Sequence, residues 1–265
     1  FLWGMPELDW SKSTNCPRWT TTHLAAHLVI TAQYLAESIR VALSNPHTKT
    51  TPEAPLPFQV KNQDGFIRWW SEEIKRLMIG GVNLILNDLI GTVKDLQKEL
   101  QKIDLETASI PFWHPSGEAL LGDIPTFRFF ELQLHEWDIF AAENPSQLLN
   151  KRVIPIMIDR LPRLLARYLR LKSRKNDPRG YVRILLRDQP RNFLLKCDWR
   201  NSQAEVDDGR SVISTLTGQS NEFLLLASGR AKQMVCEQAR TFQVIGDTAF
   251  GKSIARILFQ PIEYL

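Results

Sequence analysis

Between Phe127 and Asp138 the chain reads FRFFELQLHEWD. At the helical advance of about 100° per residue, Arg128, Glu131, His135 and Asp138 fall within roughly 80° of one another. Phe127 and Leu134 hem this polar stripe on one side, Leu132 and Ile139 on the other, and Phe129, Phe130 and Phe140 cover the back. A solvated polar face has no such flanks. A polar stripe on a largely buried helix needs partners, because unpaired buried polar groups are costly; a metal ion, one another or a charged ligand would serve. Glu131 and His135 stand four apart, the spacing that lets two side chains grip a single ion. A third donor has to come from elsewhere in the chain. The helix is predicted from about residue 125, where a first-turn proline is favourable, to 142.

The same reading places an earlier helix from Thr20, Thr21 or Thr22, any of which can cap it, to about residue 43. Leu24, Leu28, Leu35 and Ile39 form one stripe on it; His23, His27, Ile30, Tyr34 and Val41 form a second, about 100° away. A helix apolar on two sides belongs in the middle of a bundle. Residues 45–58 are a proline-rich connector. Residues 65–102 have a helical pattern with a break at Gly80-Gly81, and residues 104–123 read as a loop with an exposed Trp113-His114 pair. Residues 153–175 form a further helix, kinked at Pro162. Its arginines 160, 163, 167, 170 and 174 share one side and read as a solvated face, with an anionic ligand or membrane surface as the alternative.

The pattern changes after residues 176–180, NDPRG. Residues 181–187 and 193–199 have strand-like lengths and read as a hairpin, with a short strand possible at 204–207. Residues 211–228 are helical in part, stopped by Gly229; 242–245 is a short strand and 248–258 a closing helix. The fold class expected is therefore α plus α+β: a helical bundle over 1–176, a small α+β domain over 177–265.

A chain of 265 residues, 43% hydrophobic and 23% charged, is long enough for a sizeable core and excludes disordered and fibrous classes. A net charge of +4 calls for no nucleic-acid partner. No apolar run reaches the roughly 18 residues of a membrane span. The chain begins at Phe1, so no leader can be judged. Three distant cysteines make no disulfide framework and suit a reducing, cytoplasmic setting. Small-molecule partners and a monomer or homodimer are expected.

Among the histidines, His47 sits in the connector, His114 in the loop, and His23 at a helix start. His27 lies on the central helix, where a satisfied core histidine is the plainer reading; with Glu131 and His135 it would instead supply two imidazoles and a carboxylate around one ion, leaving a position open as in catalytic sites. Zinc hydrolases and non-haem iron oxygenases share such ligands, so donors alone do not choose the reaction. GxSxG, HExxH, P-loop and GxGxxG motifs are absent. Trp69, Trp70 and Trp137 read as core or pocket wall. A ligand-carrying protein whose bundle is merely structural is the non-enzymatic alternative.

Cys16-Pro17-Arg18-Trp19-Thr20 followed by His23-Leu24-Ala25-Ala26-His27-Leu28 resembles the "CPGW(T/S)…DLLAHL" opening of the mycothiol-dependent maleylpyruvate isomerase family, part of the DinB-like metalloenzyme superfamily. Arg128, Glu131, His135, Trp137 and Asp138 match its "RxxExxxHxWD" helix. Leu224 to Arg230 and Val244 to Asp247 resemble the "LLLxxGR" and "VxGD" elements of its sterol-carrier-like C-terminal domain. The resemblance implies a four-helix DinB-like bundle. It makes His27, Glu131 and His135 the ligands of a divalent metal, usually zinc. It also implies a low-molecular-weight thiol (mycothiol, bacillithiol, ergothioneine or glutathione) used for isomerisation or S-transfer on a small electrophile. Arg230 is then a catalytic candidate that holds carboxylates, and Arg128 a cofactor-binding one. Asp138 either orients a ligand or pairs with Arg128. Arg18 in place of glycine, His23 in place of an acidic residue, and a longer connector depart from the pattern; they leave the metal residues intact and bear on substrate and thiol.

Overall fold

A computed structural model describes residues 2–44, 57–60, 62–115, 119–144, 146–190, 192–231, 236 and 240–259. His47 and most of the connector lie outside them. The chain divides after Gln147 into two compact units.

The first unit is helical. Helix α1 (Thr21–Ser44) starts where Thr20 Oγ1 meets His23 Nδ1 at 2.8 Å, so His23 serves the helix start. Both apolar stripes of α1 are buried: Leu24, Leu28, Leu35 and Ile39 on one, Ile30 and Tyr34 on the other. Helix α1 packs along α2 (Gln63–Leu100) and against α3 (Ile124–Ala141). Asn62 caps α2 by accepting from Gly65 N at 2.9 Å. The break expected at the glycine pair falls on Gly81, whose φ of 72° interrupts α2 and leaves it in two segments. By length and composition alone α2 is apolar enough to cross a membrane. It buries Leu77, Ile85, Leu89 and Leu96 but leaves Ile79 and Ile90 exposed. The expectation that no stretch is apolar enough for a span therefore does not hold for this element, although Gly81 divides it. The loop before α3 carries two single turns of 3₁₀ helix. Trp113 and His114 are half-buried there rather than exposed, in ring contact with Tyr34.

The second unit is a five-stranded sheet with helices. Its strands are β1 (Gly180–Leu186), β2 (Asn192–Cys197), β3 (Gln203–Val206), β4 (Ser214–Gly218) and β5 (Phe242–Gly246). Their order is β3-β2-β1-β4-β5, antiparallel except for the parallel β1–β4 pair. Alternate residues of β1, Val182, Ile184 and Leu186, are buried. Helices α4 (Ile154–Lys172), α5 (Ser220–Ala227) and α6 (Thr248–Phe259) complete the unit, and Phe223, Phe242 and Phe259 meet ring to ring inside it.

Two expectations change here. Helix α4 packs on β2, β3, α5 and α6, so it goes with the sheet and the units divide after 147, not 176. Its arginine side is only partly solvated: Arg160, Arg163 and Arg174 are exposed, but Arg167 is buried and Arg170 Nη1 donates to Ser202 O at 2.9 Å. Residues 214–218, expected within a partly helical stretch, are strand β4. The segment STLTG is held as a strand by neighbours on both sides, not by any apolar alternation of its own.

Candidate metal centre

Helix α3 turns its hemmed polar stripe toward α1. Glu131 Oε1 lies 3.0 Å from His27 Nε2, and the His27 and His135 ring centroids are 5.0 Å apart. One donor atom each from His27, Glu131 and His135 lies within 4.8 Å of the others. The four-residue spacing on α3 aligns Glu131 with His135, and the bundle contact brings in His27 from about a hundred residues earlier.

Glu131 and His135 are each held by a neighbour. Arg128 is buried, 6% exposed, and its Nη1 donates to Glu131 Oε2 at 2.7 Å and to Thr31 Oγ1 at 3.0 Å, while Nη2 donates to Leu28 O at 3.1 Å. Glu131 therefore has one oxygen engaged by a cation and the other facing His27. Burial alone would raise the Glu131 carboxyl; the Arg128 guanidinium and the His27 contact outweigh it and hold the group well below the usual carboxylate range. Asp138, 1% exposed, meets His135 Nδ1 through Oδ2 at 2.9 Å. That contact fixes the imidazole and leaves its Nε2 as the donor for an ion, the carboxylate–histidine pairing found beside metals. Of the partners expected for Asp138, the structure shows the His135 contact. His27 Nδ1 is buried and has no hydrogen-bond partner among the described residues, so the protein alone does not satisfy this imidazole. Two imidazoles and an anionic carboxylate, each oriented, fit a divalent ion with an open position.

Arg128 does not sit as expected. With both terminal nitrogens engaged inside the bundle, it fits the task of holding Glu131 better than contact with a cofactor. Arg230 lies in the sheet unit just after α5, half-buried, with Nη1 donating to Ser228 O at 3.1 Å. His114 packs against Phe127 and Tyr34 and is not among the grouped donors.

Sequence reasoning gave Trp70 as core or pocket wall and missed Trp19 and Cys16 as members of the site. Trp19 lies 5.0 Å from His27 and 6.4 Å from His135 by ring centroids, and Trp70 lies 5.5 Å from His27. These indoles wall the donors with apolar surface. Cys16 Sγ donates to Asp138 Oδ2 at 3.1 Å and lies 3.9 Å from His135 Nδ1. The signal was present in the Cys-Pro-Arg-Trp segment, whose turn chemistry marks a fixed loop. Nothing local said what the loop covers.

Residues 1–140 match the family model described as the mycothiol maleylpyruvate isomerase N-terminal domain. No curated protein matches the chain by sequence. Among solved structures, a crystal structure of a histidine-to-alanine mutant of the mycothiol-dependent maleylpyruvate isomerase superposes with a TM-score of 0.58 at 16% identity, covering 92% of this chain and 85% of that one. A second crystal structure of the mycothiol-dependent maleylpyruvate isomerase gives 0.56 at 17%, covering 88% and 83%. The solution structure of the sterol carrier protein domain 2 of Helicoverpa armigera covers 45% of this chain and 100% of its own, at 12% identity and a TM-score of 0.35. The first two likenesses show the fold.

Proposed function

The chain belongs to the mycothiol maleylpyruvate isomerase family and is an enzyme of that type, and on that premise we propose that it binds one divalent ion, zinc, through His27, Glu131 and His135 and acts with mycothiol or a related thiol on a small electrophilic substrate. The observation that carries this reading is the division of labour in the donor set. Glu131 gives Oε2 to Arg128 and turns Oε1 to His27, while His135 meets Asp138 through Nδ1. An ion held there would lower the pKa of a thiol and so supply thiolate at neutral pH.

The chain's own residues do the rest. Arg128 keeps Glu131 anionic and pointed, Asp138 sets the His135 tautomer, and Trp19 and Trp70 exclude water from one side of the donors. In isomerisation the thiolate adds to an activated double bond, the resulting single bond turns, and the thiolate leaves. In S-transfer it displaces a leaving group and stays. For Arg230 the proposed role is a bidentate hold on a carboxylate of substrate or thiol. The free thiols of Cys16, Cys197 and Cys236 suit a reducing, cytoplasmic setting.

Protein purified without chelator should carry one equivalent of zinc by elemental analysis and by anomalous scattering at the zinc edge. It should isomerise maleylpyruvate only when zinc and mycothiol are both present. His27→Ala should lose metal and turnover together. Full turnover after metal removal would overturn the reading, and iron with oxygen-dependent turnover would replace it with oxygenase chemistry.

A further inference from the structure

We propose that Cys16 is a positioning residue of this centre, acting through Asp138 on His135; the proposal rests on the metal reading given above. Asp138 Oδ2 accepts from the Cys16 thiol at 3.1 Å and meets His135 Nδ1 at 2.9 Å. A nearly buried carboxylate with a single donor can still rotate about its last bond and carry the imidazole with it. A second donor from a different element removes that freedom, and conserved orientation of the ligand is what such outer contacts contribute to metal affinity.

The thiol is delivered by a built loop. Trp19 N donates to Cys16 O at 3.1 Å across a turn with Pro17 in the second position and Arg18 at a φ of 69° in the third, which are the requirements of a type II turn. Thr14 Oγ1 accepts from Cys16 N at 3.2 Å, Thr14 N donates to Trp19 O at 2.9 Å, and Asn15 N donates to Asp138 O at 2.8 Å. The last bond ties the loop to the backbone of the same residue whose side chain the thiol meets. Across the turn, Trp19 lies against both imidazoles. One short loop therefore touches the donor set twice, through the Cys16 thiol and the Trp19 ring. Arginine stands in the left-handed position, where glycine is unstrained. The strain is local, and the anchored contacts on either side of it hold the turn in place.

The test compares wild type with Cys16→Ala, Cys16→Ser, Asp138→Asn and the Cys16→Ala/Asp138→Asn double variant. Zinc affinity is measured by competition with a chromophoric chelator, and the His135 Nδ1 proton is followed by ¹H–¹⁵N NMR in the metal-free proteins. Cys16→Ala should bind zinc about 10- to 100-fold more weakly. Cys16→Ser, which keeps a donor, should recover most of that loss. In the Asp138→Asn background the alanine change should add almost nothing, because the path is already cut. The Nδ1 proton should be sharp and slow to exchange in wild type and Cys16→Ser and lost in Cys16→Ala. Unchanged zinc affinity and an unchanged Nδ1 proton in Cys16→Ala, or additive losses in the double variant, would overturn the proposal. If wild type binds no zinc while the Nδ1 proton responds as stated, the metal reading fails and the Cys16–Asp138–His135 linkage stands.

Discussion

Replacing Arg128 with methionine tests how the centre is held together without any knowledge of the substrate. The substitution roughly conserves volume and removes a guanidinium that is 6% exposed, together with its bonds to Glu131 Oε2, Thr31 Oγ1 and Leu28 O. Removing one partner of a buried ion pair costs about 3–5 kcal/mol, because the other charge is left uncompensated. The Glu131 side chain keeps 16% exposure and the His27 contact, which favours the lower end. The acceptors left behind add about 1 kcal/mol. Metal-free Arg128→Met should therefore lose about 4 kcal/mol, a large part of the 5–15 kcal/mol typical of a domain. Zinc bound as proposed would return a positive charge to Glu131, so the variant should gain more stability from zinc than wild type does.

The pH dependence follows the same charge. The folded Glu131 carboxyl is held below its ordinary value of 4.5, so the unfolded chain takes up the proton first. The Arg128 contribution is complete above that value and fades as pH falls below it. Urea denaturation followed by circular dichroism, with chelator or with excess zinc, at neutral pH and near pH 3, measures all of these. A metal-free loss under about 1 kcal/mol would refute the pairing argument. Equal losses with and without zinc would show that the ion does not meet Glu131.

Lys172 reports on the sheet unit. Burial pulls its ammonium from 10.5 down to about 8, although Nζ donates to Leu258 O at 3.2 Å. Between those values the unfolded chain binds more protons, so stability should rise with pH across that window. Lys172→Met should be more stable than wild type by about 1–2 kcal/mol at pH 7, after allowing for solvent screening, and the difference should vanish near the upper value; a constant difference across pH would refute this. Arg18→Gly should stabilise the protein by about 0.5–1 kcal/mol in urea, the left-handed strain relieved less the extra entropy of unfolded glycine; a loss would mean that the guanidinium holds something. At Gly251 a Cβ would sit 2.3 Å from both Ser214 Oγ and Val244 Cγ1, so Gly251→Ala should lower stability by about 1–3 kcal/mol as α6 is pushed off β4 and β5. An unchanged denaturation midpoint would show that α6 can shift freely.

The polar stripe on α3 was legible because helical spacing is a local property. Knowing only the order of Arg128, Glu131, His135 and Asp138, one can place them on a common face, and the apolar flanks say that the face is covered. The same holds for the two buried stripes of α1, for the break at Gly81 and for the β1–β2 hairpin. What Arg128 and Asp138 do on that face was not legible, since each had two chemically reasonable partners. Packing against α1 gave Arg128 to Glu131 and Leu28, and Asp138 meets both His135 and Cys16.

Long-range pairing explains the remaining differences. Strand β4 has no pattern of its own and exists because β1 and β5 flank it, and α4 has an apolar face that would suit a bundle as well as a sheet. Cys16 and Trp19 sit more than a hundred residues from His135, in a turn that Pro17 marks but whose type and target could not be read. Sequence alone determines which side chains share a face and where the backbone must turn, because those follow from dihedral geometry over a few residues. The tertiary structure decides which faces meet, because that choice rests on the burial and hydrogen bonding of groups far apart along the chain. For this protein, His27, Glu131 and His135, on two helices, come together beside the Cys16 loop only at that second level.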